Sequence, residues 1–247
     1  MKNQYFGDIN DYRKYGLLRA LCRDEFSLAV CWMLTADDGS ADGRRLEYLD
    51  RPLLYRPLDP PLFDFLGESV LRDRVRDVAR LETAGLLGKA VFHRALLTDD
   101  ADRRRAYFAD ALRLSRGRPL VFFDPDNGLE VKSVPRGGSG SCKYVYRSEL
   151  AAAWRAGHSL LVYQHFPRVD RRRYLRSLAA ETMESTGARR LVAAWTSHVA
   201  FLLLPQTAHE RPLQRGLDRL RSGWSAEFRI DDHVAPMLTS AGCGAGS

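Results

Sequence analysis

Apolar residues fall into short unbroken runs, separated by longer stretches in which they recur every three or four positions. The runs at 27–34, 90–96, 120–123, 159–164, 190–195 and 199–204 are too short for buried helices and suit strands covered on both faces. Between them, 11–22, 62–87, 101–115, 149–156, 171–184 and 208–221 carry the helical period. Asp11 is expected to cap the first helix, whose apolar face is Tyr15, Leu17, Leu18 and Leu21. Ser148 is expected to cap the 149–156 helix, and Gly157 to end it. Strands alternating with helices imply a mostly parallel sheet with covering helices. Only Thr196-Ser197-His198 separates the last two long runs, so these predict an antiparallel hairpin. Residues 227–230 add an edge strand, and 231–233 (Asp-Asp-His) read as a solvated loop. Pro52, Pro57, Pro60 and Pro61 introduce a small helical insertion at about 50–89. The expectation is one α/β domain over 1–239, followed by a flexible tail at 240–247.

The most telling run is Val121-Phe122-Phe123-Asp124-Pro125-Asp126-Asn127-Gly128. Pro125 cannot continue strand pairing, so the chain leaves the sheet at Asp124. Two carboxylates and an amide then stand at the carboxyl end of a buried strand, where open α/β sheets bind ligands. The plain alternative is a strand followed by a turn whose polar residues serve backbone geometry. A parallel sheet closed by an antiparallel hairpin is the outline of a Rossmann-like methyltransferase. No G-x-G-x-x-G of a hydride-transfer domain is present.

Composition narrows the partners. The 38 Lys and Arg outnumber the 31 Asp and Glu, for a net charge of +7. Arginines cluster at 103–105, 168–173 and 211–221, which fits an acidic partner, nucleic acid first and RNA ahead of DNA. Cys22, Cys31, Cys142 and Cys243 form no C-x-x-C pair and are expected as free thiols. No apolar stretch is long enough to span a membrane, and Met1-Lys2-Asn3-Gln4 lacks the apolar core of a secretory signal, so a cytoplasmic location is expected. No metal site is expected.

The segment Gly7-Asp8-Ile9-Asn10-Asp11-Tyr12-Arg13-Lys14-Tyr15 resembles the G-N-H-A-D-x-x-K-H motif of the bacterial large-subunit ribosomal RNA adenine-N6 methyltransferases. Gly7, Asp11 and Lys14 match in identity and spacing. That family also has an acidic, glycine-bearing loop after its first strand, a helical insertion before the second and a strand ending in D-P-P-Y. Residues 37–43, 62–87 and 124–127 take those places in order. The resemblance implies a class I S-adenosylmethionine-dependent fold. It implies that Lys14, Gly39, Asp42 and Gly43 approach the cofactor. It implies that Asp124, supported by Asp126 and Asn127, orients an exocyclic amine, a catalysis by positioning. Asp126-Asn127 stand where the family has Pro-Tyr, so the aromatic that stacks on a flipped base is absent there. Tyr163, Phe166 and Trp195 are candidates to replace it.

Two other readings use the same residues. Asp124 with Glu130-Val131-Lys132 is a compressed P-D…(D/E)-x-K nuclease pattern, in which carboxylates hold Mg²⁺ and Lys132 activates water. Asn127-Gly128 would then turn a hairpin that sets Asp124 and Glu130 on adjacent strands. The third reading is a non-catalytic nucleic-acid-binding protein. Glycine-rich 136–141 is expected to be mobile and 143–146 an amphipathic edge strand. His165 is expected to cap its strand, and Trp195 and His198 to serve the sheet and hairpin turn.

Overall fold

The computed structural model describes residues 1–23, 26–40 and 42–234. The chain opens with helix α1 (Ile9–Cys22), strand β1 (Leu28–Cys31) and the short helices α2 (Pro52–Tyr55), α3 (Pro60–Gly67) and α4 (Ala79–Thr83). Strand β2 (Val91–His93), helix α5 (Ala101–Leu114) and strand β3 (Leu120–Phe123) follow, then β4 (Gly128–Leu129) and β5 (Tyr144–Val145). The remainder is α6 (Arg147–Arg155), β6 (Ser159–His165), α7 (Arg171–Thr186), β7 (Arg190–Trp195), β8 (Val199–Leu204), α8 (Glu210–Gly223) and β9 (Arg229–Val234).

Seven strands form one sheet in the order β2-β1-β3-β6-β8-β7-β9. The four strands from β2 to β6 are mutually parallel. β8 runs antiparallel between β6 and β7, so the expected hairpin inserts its second strand next to the parallel core. Both faces of β1, β3 and β8 are fully covered, which is why their sequences are unbroken apolar runs. One face packs α1, α8 and the insertion around Trp32, Phe122 and Phe201; the other packs α5, α6 and α7 around Phe123, Val162 and Leu202. Among the described residues no helix is long and apolar enough to cross a membrane. Cys22, Cys31 and Cys142 are free thiols; Cys243 and the 240–247 tail lie outside the described residues.

Several expectations are corrected. The cap of α1 is Asp8, which accepts from the amides of Asn10 (2.8 Å) and Asp11 (3.0 Å). Asp11 turns inward instead. The insertion breaks into short helices, with Arg74 in the left-handed region between α3 and α4. Helix α6 starts before Ser148, and Glu149 folds back onto the Tyr146 amide at 2.9 Å. The 136–141 loop is tied down: Asp99 accepts from the amides of Gly140 and Cys142, each at 2.7 Å, and Arg104 donates to the Ser141 carbonyl. Arg104 is therefore no surface cation; it is buried in a bidentate pair with Glu149. Residues 231–233 are not a loop but the body of β9, where Asp231 accepts from the Trp195 indole and Asp232 pairs with Arg190.

Asn127-Gly128 does not turn an antiparallel hairpin. β4 pairs in parallel with β5, and Gly128 sits at φ +120° against Gln164. A Cβ there would lie 2.3 Å from the Gln164 amide oxygen, which accepts from the Leu129 amide at 2.8 Å. Gln164 also donates to the Asn127 and His165 carbonyls. Glycine is thus required for the loop to lie flat on β6.

Candidate active site

The carboxyl ends of β1 and β3 converge with the start of α1 on one buried ionic cluster. Lys14, 3% exposed, donates to Asp124 Oδ2 at 2.7 Å and to Asp11 Oδ1 at 2.8 Å. Asp11 Oδ2 accepts from the Tyr15 hydroxyl (2.8 Å) and the Gly7 amide (3.2 Å). The Lys14 ammonium also lies 5.2 Å from the Tyr163 ring centroid. Burial alone would lower the Lys14 pKa; Asp11 and Asp124 outweigh it and hold the amine well above its ordinary range. Burial pushes the Asp124 carboxyl up against the pull of Lys14 and the Met1 ammonium.

Next to this pair the Met1 ammonium is held by three oxygens. The Met1 ammonium contacts Asp126 Oδ1 at 2.5 Å, the Asp124 carbonyl at 3.0 Å and the Met33 carbonyl at 3.2 Å. Met33 is a buried non-glycine residue at φ +47°, a conformation costing about 1–2 kcal/mol, and it carries one of the three acceptors. Thr35 steadies Asp126 from the β1 side, with its hydroxyl 3.0 Å from Oδ2.

A cavity of about 580 Å³ opens from the cluster, lined by Tyr5, Asp8, Asn10, Asp42, Gly43, Arg44, Arg45, Asp126, Asn127, Tyr163, His165 and His198. Its volume suits a small-molecule ligand. The inner end carries Asp8, Asp11, Asp124 and Asp126 against the ammonium groups of Lys14 and Met1, with Lys2 shared between Asp126 (3.9 Å) and Asp38 (2.6 Å). The mouth carries Arg44 and Arg45. The cavity is therefore acidic inside and basic outside.

Of the residues expected at the site, Lys14, Asp124 and Asp126 meet, and Asn127, Asp42 and Gly43 line the cavity. Gly39 faces open space, with nothing within 4 Å of the point a Cβ would occupy, so no close approach is made there. Gly43 packs on Tyr5. Lys14 is committed to Asp11 and Asp124 rather than presented to a ligand. Glu130 accepts from the Arg147 amide and guanidinium, and Lys132 is exposed, so neither shares the Asp124 cluster. Among the described residues no group of three or more His, Cys, Asp or Glu is placed to hold a metal. Trp195 serves the sheet as expected. His165 and His198 also line the cavity; Asp8, Asn10, Thr35 and Arg45 are additions, and their signal lay only in spatial convergence.

Asp8 titrates unusually. Burial first, then the Asp11 charge, push its carboxyl up to about 6. The folded state therefore holds a proton that the unfolded chain releases near pH 4. That stabilisation is complete below about pH 4 and is lost as pH rises through about 6. Asp8→Asn keeps an acceptor for the helix amides. It is expected to raise stability by about 1–2 kcal/mol near pH 7.5 and by nothing near pH 4, read from urea midpoints.

No family model matches this chain, and no curated protein matches it. The crystal structure of a protein from Legionella pneumophila str. Philadelphia 1, described under the family model DUF519, is similar over 94% of this chain and 98% of that one. The identity is 10% and the TM-score 0.43. At that level the likeness carries no argument about what either protein does.

Proposed function

We propose that this chain is an S-adenosylmethionine-dependent methyltransferase that acts on an amino group of a nucleic-acid base. The observation carrying this reading is the pair of acceptors, the Asp124 carbonyl and the Asp126 carboxylate, that hold the Met1 ammonium beside a ligand-sized cavity. An acceptor amine taking the place of the Met1 ammonium would direct its N–H groups at fixed oxygens, which is the positioning that amine methylation needs. A parallel sheet with β8 slotted antiparallel between β6 and β7 supports a Rossmann-like methyltransferase fold.

The donor set fits the cofactor at its charged end. Bound S-adenosylmethionine would supply an electrophilic methyl group on a cationic sulfur, and the excess of carboxylates inside the cavity favours a cation. Asp42, which has no ion-pair partner among the described residues, is the cavity carboxylate assigned to hold that ligand. The Asp124 carbonyl and Asp126 carboxylate orient the acceptor nitrogen, and Asp126 takes the proton it sheds. Lys14 acts through Asp124 by fixing its carboxylate. The nuclease reading is less well supported, because Glu130 and Lys132 face away from Asp124 toward Arg147 and solvent.

Isothermal titration with S-adenosylmethionine tests the reading. Saturable heat is expected, displaced by the demethylated product and weakened about tenfold or more by Asp42→Ala, the scale of one charged contact. No heat, or heat indifferent to that product, would overturn it.

A further inference from the structure

The mouth of the cavity continues outward. Arg45 and His198 line both the 580 Å³ cavity and a neighbouring hollow of about 230 Å³ that reaches Arg13, Arg51 and Tyr55. Along this groove Arg44, Arg45 and Arg51 have no carboxylate partner among the described residues. Arg13, which lines the same hollow, is instead paired with Glu227. Arg45 is half-buried, so its charge is less screened than that of a free surface arginine. Burial first and then Arg45 push the His165 and His198 imidazoles down, so the positive field of Arg45 reaches both, with Glu47 and Asp42 as the acids that share the groove. At the inner end the field reverses to carboxylates. A ligand matched to both ends carries anionic groups outside and an amine inside.

We propose that Arg45, flanked by His165, His198 and Arg51, is the phosphate-binding anchor for a single-stranded nucleic acid whose unpaired base enters the inner cavity. The groove assignment rests on the methyl-transfer reading only for what the base does once inside. Guanidinium and imidazole groups supply the donors that phosphodiester oxygens take. The amino group of a paired base is engaged within the duplex, so a base that reaches the inner carboxylates at the end of the cavity must be everted or unpaired.

Fluorescence anisotropy with short labelled single-stranded RNA and DNA, and with their duplexes, tests this. Arg45→Gln is expected to weaken single-strand binding about tenfold at moderate salt and to lower the slope of log affinity against log salt by about one. Arg51→Gln, on an exposed side chain that the fold does not use, should move both in the same direction. Arg113→Gln, whose residue pairs with Asp110 on α5, should move neither. Unchanged binding in Arg45→Gln and Arg51→Gln, or an equal loss in Arg113→Gln, overturns the groove. A mononucleotide competing as well as the oligonucleotide, or tighter duplex binding, overturns the single-strand assignment. Titration of Arg45→Gln with S-adenosylmethionine separates the two proposals. If the wild type binds no cofactor but its oligonucleotide affinity depends on Arg45, the methyl-transfer reading falls and the groove stands. If cofactor binds and Arg45 is irrelevant to oligonucleotide, the reverse holds.

Discussion

Lys14→Met is expected to destabilise the protein by about 3–5 kcal/mol, because it leaves two buried carboxylates facing each other without the ammonium that pairs with both. Asp124 is 1% exposed and Asp11 2%, so water cannot replace the ammonium that now sits within 2.8 Å of both. The methionine side chain fills most of the same volume, which separates the charge effect from a cavity effect. Urea denaturation gives the measurement. Adding Asp124→Asn should restore part of the loss, since an amide can face Asp11 without repulsion, and the coupling between the two changes should be about 1 kcal/mol or more. A shift below about 0.5 kcal/mol in the single variant, the scale of an exposed ion pair, would mean that the lysine is not holding the cluster together.

Asp126→Asn is expected to lower methyl transfer about 100-fold or more, the usual weight of a positioned group that also takes a proton. The asparagine keeps the shape and one acceptor, so the Thr35 contact and the fold should survive. Cofactor affinity should stay within about twofold, because Asp42 rather than Asp126 is assigned to the cofactor. Incorporation of labelled methyl groups into RNA reads the first quantity and isothermal titration the second. Equal losses of turnover and cofactor affinity would move Asp126 from the acceptor side of the reaction to the cofactor side.

Much of the scaffold was legible because a strand buried on both faces leaves no polar position to misread. Leu120–Phe123, Arg190–Trp195 and Val199–Leu204 have the same bounds in the sequence reading and the structure. Pro125 marks where β3 ends for a reason that needs no tertiary information. Asp124 and Lys14 were legible as chemistry, but their contact was not: 110 positions separate them, and nothing local shows that Lys14 faces a carboxylate rather than a ligand. The cap of α1 was misassigned because Asp8 and Asp11 both suit an N-terminus, and the buried Lys14 ammonium, Tyr15 hydroxyl and Gly7 amide that draw Asp11 inward show only in the fold. Glycine-rich 136–141 looked loose because its restraints come from Asp99 and Arg104, far upstream. Arg45 and His198 carry no signature of their own; they matter because the β7–β8 turn swings His198 over the loop after β1.

The contact of Gly128 with Gln164 determines where this molecule can give. Gln164 and the His165 amide bind the Asn127 carbonyl, and Gln164 also accepts from Leu129, so the segment bearing Asp126 is bolted to the sheet and cannot shift without β6. The facing wall, residues 37–40 and 42–44, is fastened by side-chain bonds, from Lys2 and Gln4 to Asp37, Asp38 and Ser40 and from Arg76 to the Gly43 carbonyl. An incoming molecule therefore meets one wall pinned to the sheet through backbone groups and another secured, among the described residues, by side chains alone.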